Sequence, residues 1–222
     1  MEIDVGKAEI VKEWKPEMKA LGFVYRDLMF QLKEGMEQSL QFAIVIQRNL
    51  HSDTYLIHFK ILLNNPFSTA LRPEVLVNGH LRPEGVYLHV YKSSWWPREF
   101  MSEGLACVKR HAMSWFRKWS DPSFLVEKHE VAICNRQNLI EVFEPLTPEQ
   151  EDAFRRIWHR PNHDKVGLPP AIFHHTAVLH FLNGNLEMAI RRTKDWLQQI
   201  DPHEAVGRRH AEIQLKVLQQ AN

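Results

Sequence analysis

The chain has 222 residues, 44% apolar and 25% charged, enough to bury a full core in one large domain or in one domain with a helical extension. Its 28 basic and 27 acidic residues leave a formal net charge of +1, without the basic excess carried by phosphate-backbone binders or by proteins steered to anionic membranes. No apolar run is long enough to span a bilayer and no basic segment precedes an apolar stretch at the N-terminus, so a cytoplasmic protein without a signal peptide is expected.

Residues 9–20 place Ile10, Trp14 and Met18, with Leu21 beyond, at helical spacing, which gives one apolar face. Pro16 lies inside this stretch, so the helix begins near it or kinks there, and Gly22 is the expected stop. From Phe23 the period changes to two. Leu28, Phe30 and Leu32 alternate with polar partners, and Lys33, Glu34 and Gly35 make a hairpin turn. Leu40, Phe42, Ile44 and Ile46 then fall on one face, with Gln41, Ala43, Val45 and Gln47 on the other. After a turn at 49–53, Tyr55, Ile57, Phe59 and Ile61 form a third alternating segment. Alternating segments joined by short turns predict an antiparallel meander, one face of which helices should cover.

Residues 64–84 are rich in proline, asparagine and glycine and read as a long excursion. A fourth strand is predicted over 86–90, before Trp95, Trp96 and Pro97. Residues 99–119 read as a helix with Ala106, Met113, Phe116 and Trp119 at core spacing, weakened at its start by Gly104 and stopped by Asp121 and Pro122. The apolar patch 131–134, within 123–144, fits a short helix or a strand equally. Thr147, Pro148, Glu149 and Gln150 form a helix start, with an N-cap, proline at the first position and acid in the first turn. That helix ends before Pro161, and 162–169 is the best linker candidate. Pro169 and Pro170 open another helix that closes at Asn183 and Gly184; further helices cover 186–200 and 204–219, the last with Ile213, Leu215 and Leu218 apolar. The expected fold class is α+β: an antiparallel meander of about four strands with helices packed on one face, in a domain over 1–144, followed by a C-terminal α-helical extension, 145–222, packed on it.

Thirteen histidines invite a search for a metal, but the spacing does not support one. His159 and His163 are separated by the helix-breaking Pro161; His174, His175 and His180 do not share a helical face; His203 and His210 lack a carboxylate-rich partner motif. Scattered surface and helix-end histidines are expected, with no metal and no cofactor. Cys107 and Cys134 form no Cys-x-x-Cys pair and each sits in an apolar context, so two buried thiols are expected, with a disulfide as the lesser alternative. Cys107 and His111 are at helical spacing, yet a nucleophilic thiol needs an exposed, electropositive setting, and a packed cysteine is the favoured reading. No Gly-x-Ser-x-Gly and no glycine-rich phosphate loop occurs. Glu149 and Asp152 suit a helix dipole better than acid-base catalysis, and the pairs Arg155/Arg156, Arg191/Arg192 and Arg208/Arg209 read as solvated faces. No catalytic residue is assigned. Trp95 and Trp96 stand out because adjacent strand residues point to opposite faces. Either one indole is exposed as a contact anchor or a helix buries both. Trp95, Trp96 and the neighbouring Arg98 are the candidate partner-binding residues.

Leu21, Gly22 and Phe23 closing a helix, Phe30 ending a short strand, Ile46 and Gln47 closing the next, the alternating strand 55–61, and later Trp95, Trp96 and Trp115 together resemble the bacterial domain-of-unknown-function family 4304 over residues 9–120. That resemblance implies the helix-then-sheet architecture and supplies no catalytic residues. Residues 181–189, Phe-Leu-Asn-Gly-Asn-Leu-Glu-Met-Ala, are similar to the turn and second helix of a single tetratricopeptide-like unit, although Trp196 stands where that repeat prefers a small residue and Pro202 falls one place late. One such unit cannot form a self-supporting stack.

The function expected from these features is a non-catalytic protein-binding module, of the bacterial immunity or antitoxin type that occludes a partner such as a toxin domain. A hydrolase-like enzyme is the alternative, and it requires several of His51, His58, His89 and Glu99 to converge on a cleft. A nucleic-acid accessory protein would need the arginine pairs to merge into one stripe.

Overall fold

The computed structural model describes residues 5–33, 39–67, 73–88, 94–137, 139–144 and 170–221. The expected turn at Glu34 and Gly35, His89, and the expected helix and linker over 147–169 lie outside them. Packing divides the chain into a sheet unit, Met1–Asn65 with Ala70–Ser120, and a helical unit, Pro66–Thr69 with Asp121–Asn222. The fold is α+β. No described helix is long and apolar enough to cross a membrane.

In the sheet unit, helix α1 (Val5–Ala20) runs through Pro16. It ends where Gly22, at φ +87°, donates its N–H to the Lys19 carbonyl at 3.0 Å. A left-handed residue there is the ordinary helix-stopping use of glycine. The strands are β1 (Phe23–Arg26), β2 (Met29–Leu32), β3 (Leu40–Arg48), β4 (Thr54–Leu63), β5 (Glu74–Arg82), β6 (Gly85–Tyr87) and β7 (Trp96–Pro97). The first six lie side by side in chain order, every neighbouring pair antiparallel, and β7 pairs with the start of β4. The meander is therefore larger than the four strands expected.

Two differences account for the extra strands. The alternation across 23–32 is not one strand, because Asp27 and Leu28 both take positive φ (51° and 64°) and fold it into a two-residue hairpin. Such turns normally carry asparagine or glycine, so Asp-Leu gives no cue, and Leu28 is 67% exposed instead of facing the core. The excursion expected over 64–84 contains β5, paired with β4 from Leu63 to His58. Its asparagine and glycine look like turn formers, but Gly79 is there for space. A Cβ at Gly79 would lie 2.8 Å from Trp115 Cζ2 and 2.6 Å from Val86 Cγ1. Gly79→Ala is expected to cost about 1–3 kcal/mol by overpacking against the immobile indole. A lowered urea midpoint is the readout, and an unchanged midpoint would refute this role.

One face of the sheet is apolar and carries helices. Phe42, Ile44 and Ile46 on β3 lie opposite Ile61, Phe59 and Ile57 on β4. Over them pack α1, through Trp14 against Phe30 at 6.5 Å, and α2 (Met101–Trp119), through Phe116 against Phe42 and Phe59 at 5.3 and 5.5 Å. Gly104 lets α2 approach β4, since a Cβ there would meet Ile57 Cδ1 at 2.9 Å. On α2, Cys107, Val108, Ala112, Trp115, Phe116 and Trp119 are buried, whereas Ala106 is exposed and Met113 half-buried. The buried stripe is thus rotated from the one expected.

In the helical unit, α3 (Pro122–Asn135) and α4 (Leu139–Phe143) resolve the ambiguity over 123–144 as helix. Asp121 caps α3 by accepting from the Ser123 N–H at 2.9 Å. Helices α5 (Pro170–Leu182), α6 (Leu186–Gln199) and α7 (Ala205–Gln220) follow. Gly184, at φ +73°, closes α5, and the Asn185 side chain caps α6 through the Met188 N–H. A core of Ala132, Ile172, Phe173, Trp196, Ile200 and Ala211 joins α3, α5, α6 and α7. Leu218 is buried on α7, but Ile213 is 45% exposed. Cys134 is exposed on the outer side of α3, contrary to expectation, because the buried positions of that helix are Leu125, His129 and Ala132.

Candidate functional site

Alternate connections of a meander gather at the same end of the sheet. Here the β1–β2, β3–β4 and β5–β6 turns share one end, where β7 and a single 3-10 turn, Arg98–Phe100, also lie against the start of β4. Trp95, Trp96 and Arg98 are all at this end. Trp96 is 5% exposed, sits opposite Tyr55, and its Nε1 donates to the Leu81 carbonyl at 3.0 Å. Its indole therefore anchors the strand, while Trp95 is half-buried. Arg98 donates its backbone N–H to Asp53 at 3.1 Å and its Nη2 to Glu13 at 2.9 Å, with Glu9 at 3.8 Å. The Glu13 hydrogen bond and the neighbouring carboxylates raise its pKa.

Three further side chains complete this end: Leu28 at 67% exposure, Leu50 at 93% and Phe100 at 46%. The turn bearing Leu50 is internally tied. Asn49 Oδ1 accepts from the His51 N–H at 3.0 Å, Ser52 and Thr54 hydroxyls pair at 2.7 Å, and Asp53 accepts from the Tyr55 hydroxyl at 3.0 Å. Leucine thus projects from a braced turn, so ordering costs little if it is covered. Leu28 adopts a left-handed conformation that costs a branched, non-glycine residue about 1–2 kcal/mol, with no burial in return. Arginine–carboxylate pairs surround these residues: Arg26 with Asp27 at 3.4 Å, Arg48 with Asp53 at 3.8 Å, and Arg82 with Glu84 at 3.4 Å. Exposed pairs of this kind add little to stability. Leu50 was legible as an apolar residue inside a polar turn; Leu28 was hidden by its apparent alternation.

The described residues of the hydrolase alternative are split between the loop end of the sheet and its second face. His51 is exposed in its turn and Glu99 is exposed on the 3-10 turn, while His58 is buried on the second face of the sheet. No described hydrogen bond or ring contact links His58 to either. His58 instead lies opposite His80, rings edge to face at 4.8 Å, and its Nε2 donates to Gln47 Oε1 at 3.0 Å. Burial, then repulsion from His80 and Lys60, pushes its pKa down to about 3, so the ring is neutral at pH 7. Cys107 is buried and burial raises its pKa, which suits a packed thiol and not a nucleophile.

The helical unit holds the most connected polar network. Glu130 on α3 accepts from both Arg192 Nε, at 2.8 Å, and Arg192 Nη2 on α6, and from His180 Nε2 on α5 at 2.7 Å; Arg192 also reaches Asp195 at 2.7 Å. Burial favours the neutral acid, but the His180 and Arg192 hydrogen bonds and the Arg192 charge outweigh it and hold Glu130 at about 2. Arg192 is raised in turn. It is therefore a buried ion-pair partner and not part of a solvated basic face. Among the described residues no group of three or more His, Cys, Asp or Glu is arranged to hold a metal.

No protein-family model matches the chain, and no curated protein and no solved structure matches it significantly.

Proposed function

We propose that the protein is a non-catalytic protein-binding module that docks another protein on the loop end of its sheet, in the manner of a bacterial immunity or antitoxin protein occluding a toxin domain. The observation that carries this is the exposure of Leu28, Leu50 and Phe100 on separate connections at one end, within a fringe of arginines. An exposed aromatic, Phe100, with arginines nearby has the enrichment of binding surfaces, and the braced or strained turns hold Leu28 and Leu50 outward beside it. The hydrolase alternative gains no support from the contacts of His51, His58 and Glu99. A nucleic-acid role loses Arg192, which is committed to Glu130.

The test is co-expression of the full chain with the products of the genes flanking its own, followed by light scattering of the purified complex and a growth-rescue assay. A stoichiometric complex is expected, weakened about 30-fold or more by Leu50→Asp, while Leu28→Gly weakens binding and relieves strain, raising stability by about 1 kcal/mol. The proposal fails if no flanking product forms a complex, or if a complex forms whose affinity neither variant changes.

A further inference from the structure

The arginines that fringe the loop end are not the charges a partner meets first. Three of the four are held by carboxylates that reach further into solvent than they do. The side chain of Arg82 is 23% exposed against 58% for Glu84, and that of Arg48 43% against 59% for Asp53. Arg98, at 28%, is shared by Glu9 and Glu13, at 62% and 57%. Arg26 and Asp27 are level, at 67% and 69%. Each projecting apolar residue also has an exposed acid on its own connection: Asp27 before Leu28, Asp53 three positions after Leu50, and Glu99 before Phe100. No described ion pair engages Glu99. Lys12 and Lys15 are exposed too, but on α1 and not on the connections that carry the apolar residues.

An ionised carboxylate accepts at about four lone-pair sites, so one arginine leaves it able to take a second donor from outside. We propose that the loop end takes a protein surface with an apolar centre and a rim of lysine and arginine, whose donors meet Asp27, Asp53, Glu84 and Glu99 around Leu28, Leu50 and Phe100. This rests on the docking reading above and narrows it to one chemistry of partner. Opposite charge at a hydrated rim speeds encounter more than it tightens the complex, and salt screens it. The same carboxylates set like charge against nucleic acid and against acidic proteins.

The test has two arms. In the first, the isotope-labelled full chain is titrated with two heptapeptides and followed by NMR. Both have leucine and tryptophan at the centre; one is flanked by lysines and the other by glutamates. The lysine peptide should shift the resonances of Leu28, Leu50 and Phe100 saturably, and the glutamate peptide should not. In the variant Asp27→Asn/Glu84→Gln/Glu99→Gln that preference should shrink about fivefold or more. Asparagine suits the positive φ at position 27, so the turn is kept. In the second arm, association of the complex with a flanking gene product is timed from about 50 to about 500 mM NaCl, and the rate should fall about tenfold as opposite charges are screened. The variant should associate more slowly at low salt and lose most of that fall. A glutamate peptide that shifts the three residues as well as the lysine peptide or better overturns the proposal, as does silence from both up to about 10 mM. So does a complex whose association rate is level or rises with salt, although the docking reading then stands. Absence of any flanking complex counts against the docking reading alone, because the peptide arm is decided without it.

Discussion

Glu130→Ala is expected to destabilise the helical unit by about 3–5 kcal/mol, the usual consequence of leaving a buried ionic partner uncompensated. The side chains of Glu130, His180 and Arg192 are 21%, 8% and 11% exposed, so water cannot replace the carboxylate. Three donors from two helices converge on it, and removing it orphans a guanidinium and an imidazole together. Asp195 retains one contact with Arg192, which keeps the loss from being larger. Amide exchange in α3, α5 and α6 should accelerate together, and urea unfolding of that unit should move to lower denaturant. The double variant Glu130→Leu/Arg192→Met should recover part of the loss, because apolar replacement of both partners removes the orphan. A cost below about 1 kcal/mol, the range of an exposed pair, would show that the network is solvated.

Acid should weaken both units well above the range in which carboxylates protonate. His58 in the sheet unit and His129 in the helical unit each have a pKa near 3, below the ordinary 6.5, chiefly because burial disfavours the charged ring. For His129, repulsion from His175 adds to this. The unfolded chain takes up a proton at each site as pH falls through 6.5, and the folded chain does not until near pH 3. Their stabilisation is complete above 6.5 and is lost progressively below it. Glu130 acts in the same direction lower down, held at about 2 against an ordinary 4.5, so its contribution is lost as pH falls from 4.5. At pH 5 each histidine should already have removed about 2 kcal/mol.

The geometry of His129 provides a control. Thr176 donates its only hydroxyl proton to the Ile172 carbonyl at 2.6 Å, so His129 Nδ1 must be the donor to Thr176 Oγ1 at 3.1 Å. His129→Asn keeps a donor in that position but does not titrate in this range. It should flatten the pH dependence of the helical unit between 6.5 and 5 while leaving that of the sheet unit, which His58 governs. A stability curve that stays level from pH 7 to pH 5 in the wild-type protein would contradict the buried, neutral state of both rings.

The segments with local determinants were read correctly from the sequence. Strands β3 and β4 alternate because a pleat sends successive side chains to opposite faces, and one of those faces is covered by helices. Helices α1 and α5 stop at Gly22 and Gly184 because those positions need positive φ. These constraints act within a few residues, so any reader of the chain can find them. The rest depended on partners far along it. β5 is a strand because the edge of β4 is available and Trp115 requires the empty space at Gly79. Arg192 is buried because Glu130, 62 positions away, meets it with a matching pair of oxygens. His58 is neutral chiefly because the fold buries it, with repulsion from His80, which register sets opposite, adding to that. Leu28 and Leu50 share an end of the sheet only once the strands are counted off. Local sterics are written residue by residue, whereas desolvation and pairing are set by whatever the fold brings alongside, and that fixed the candidate site.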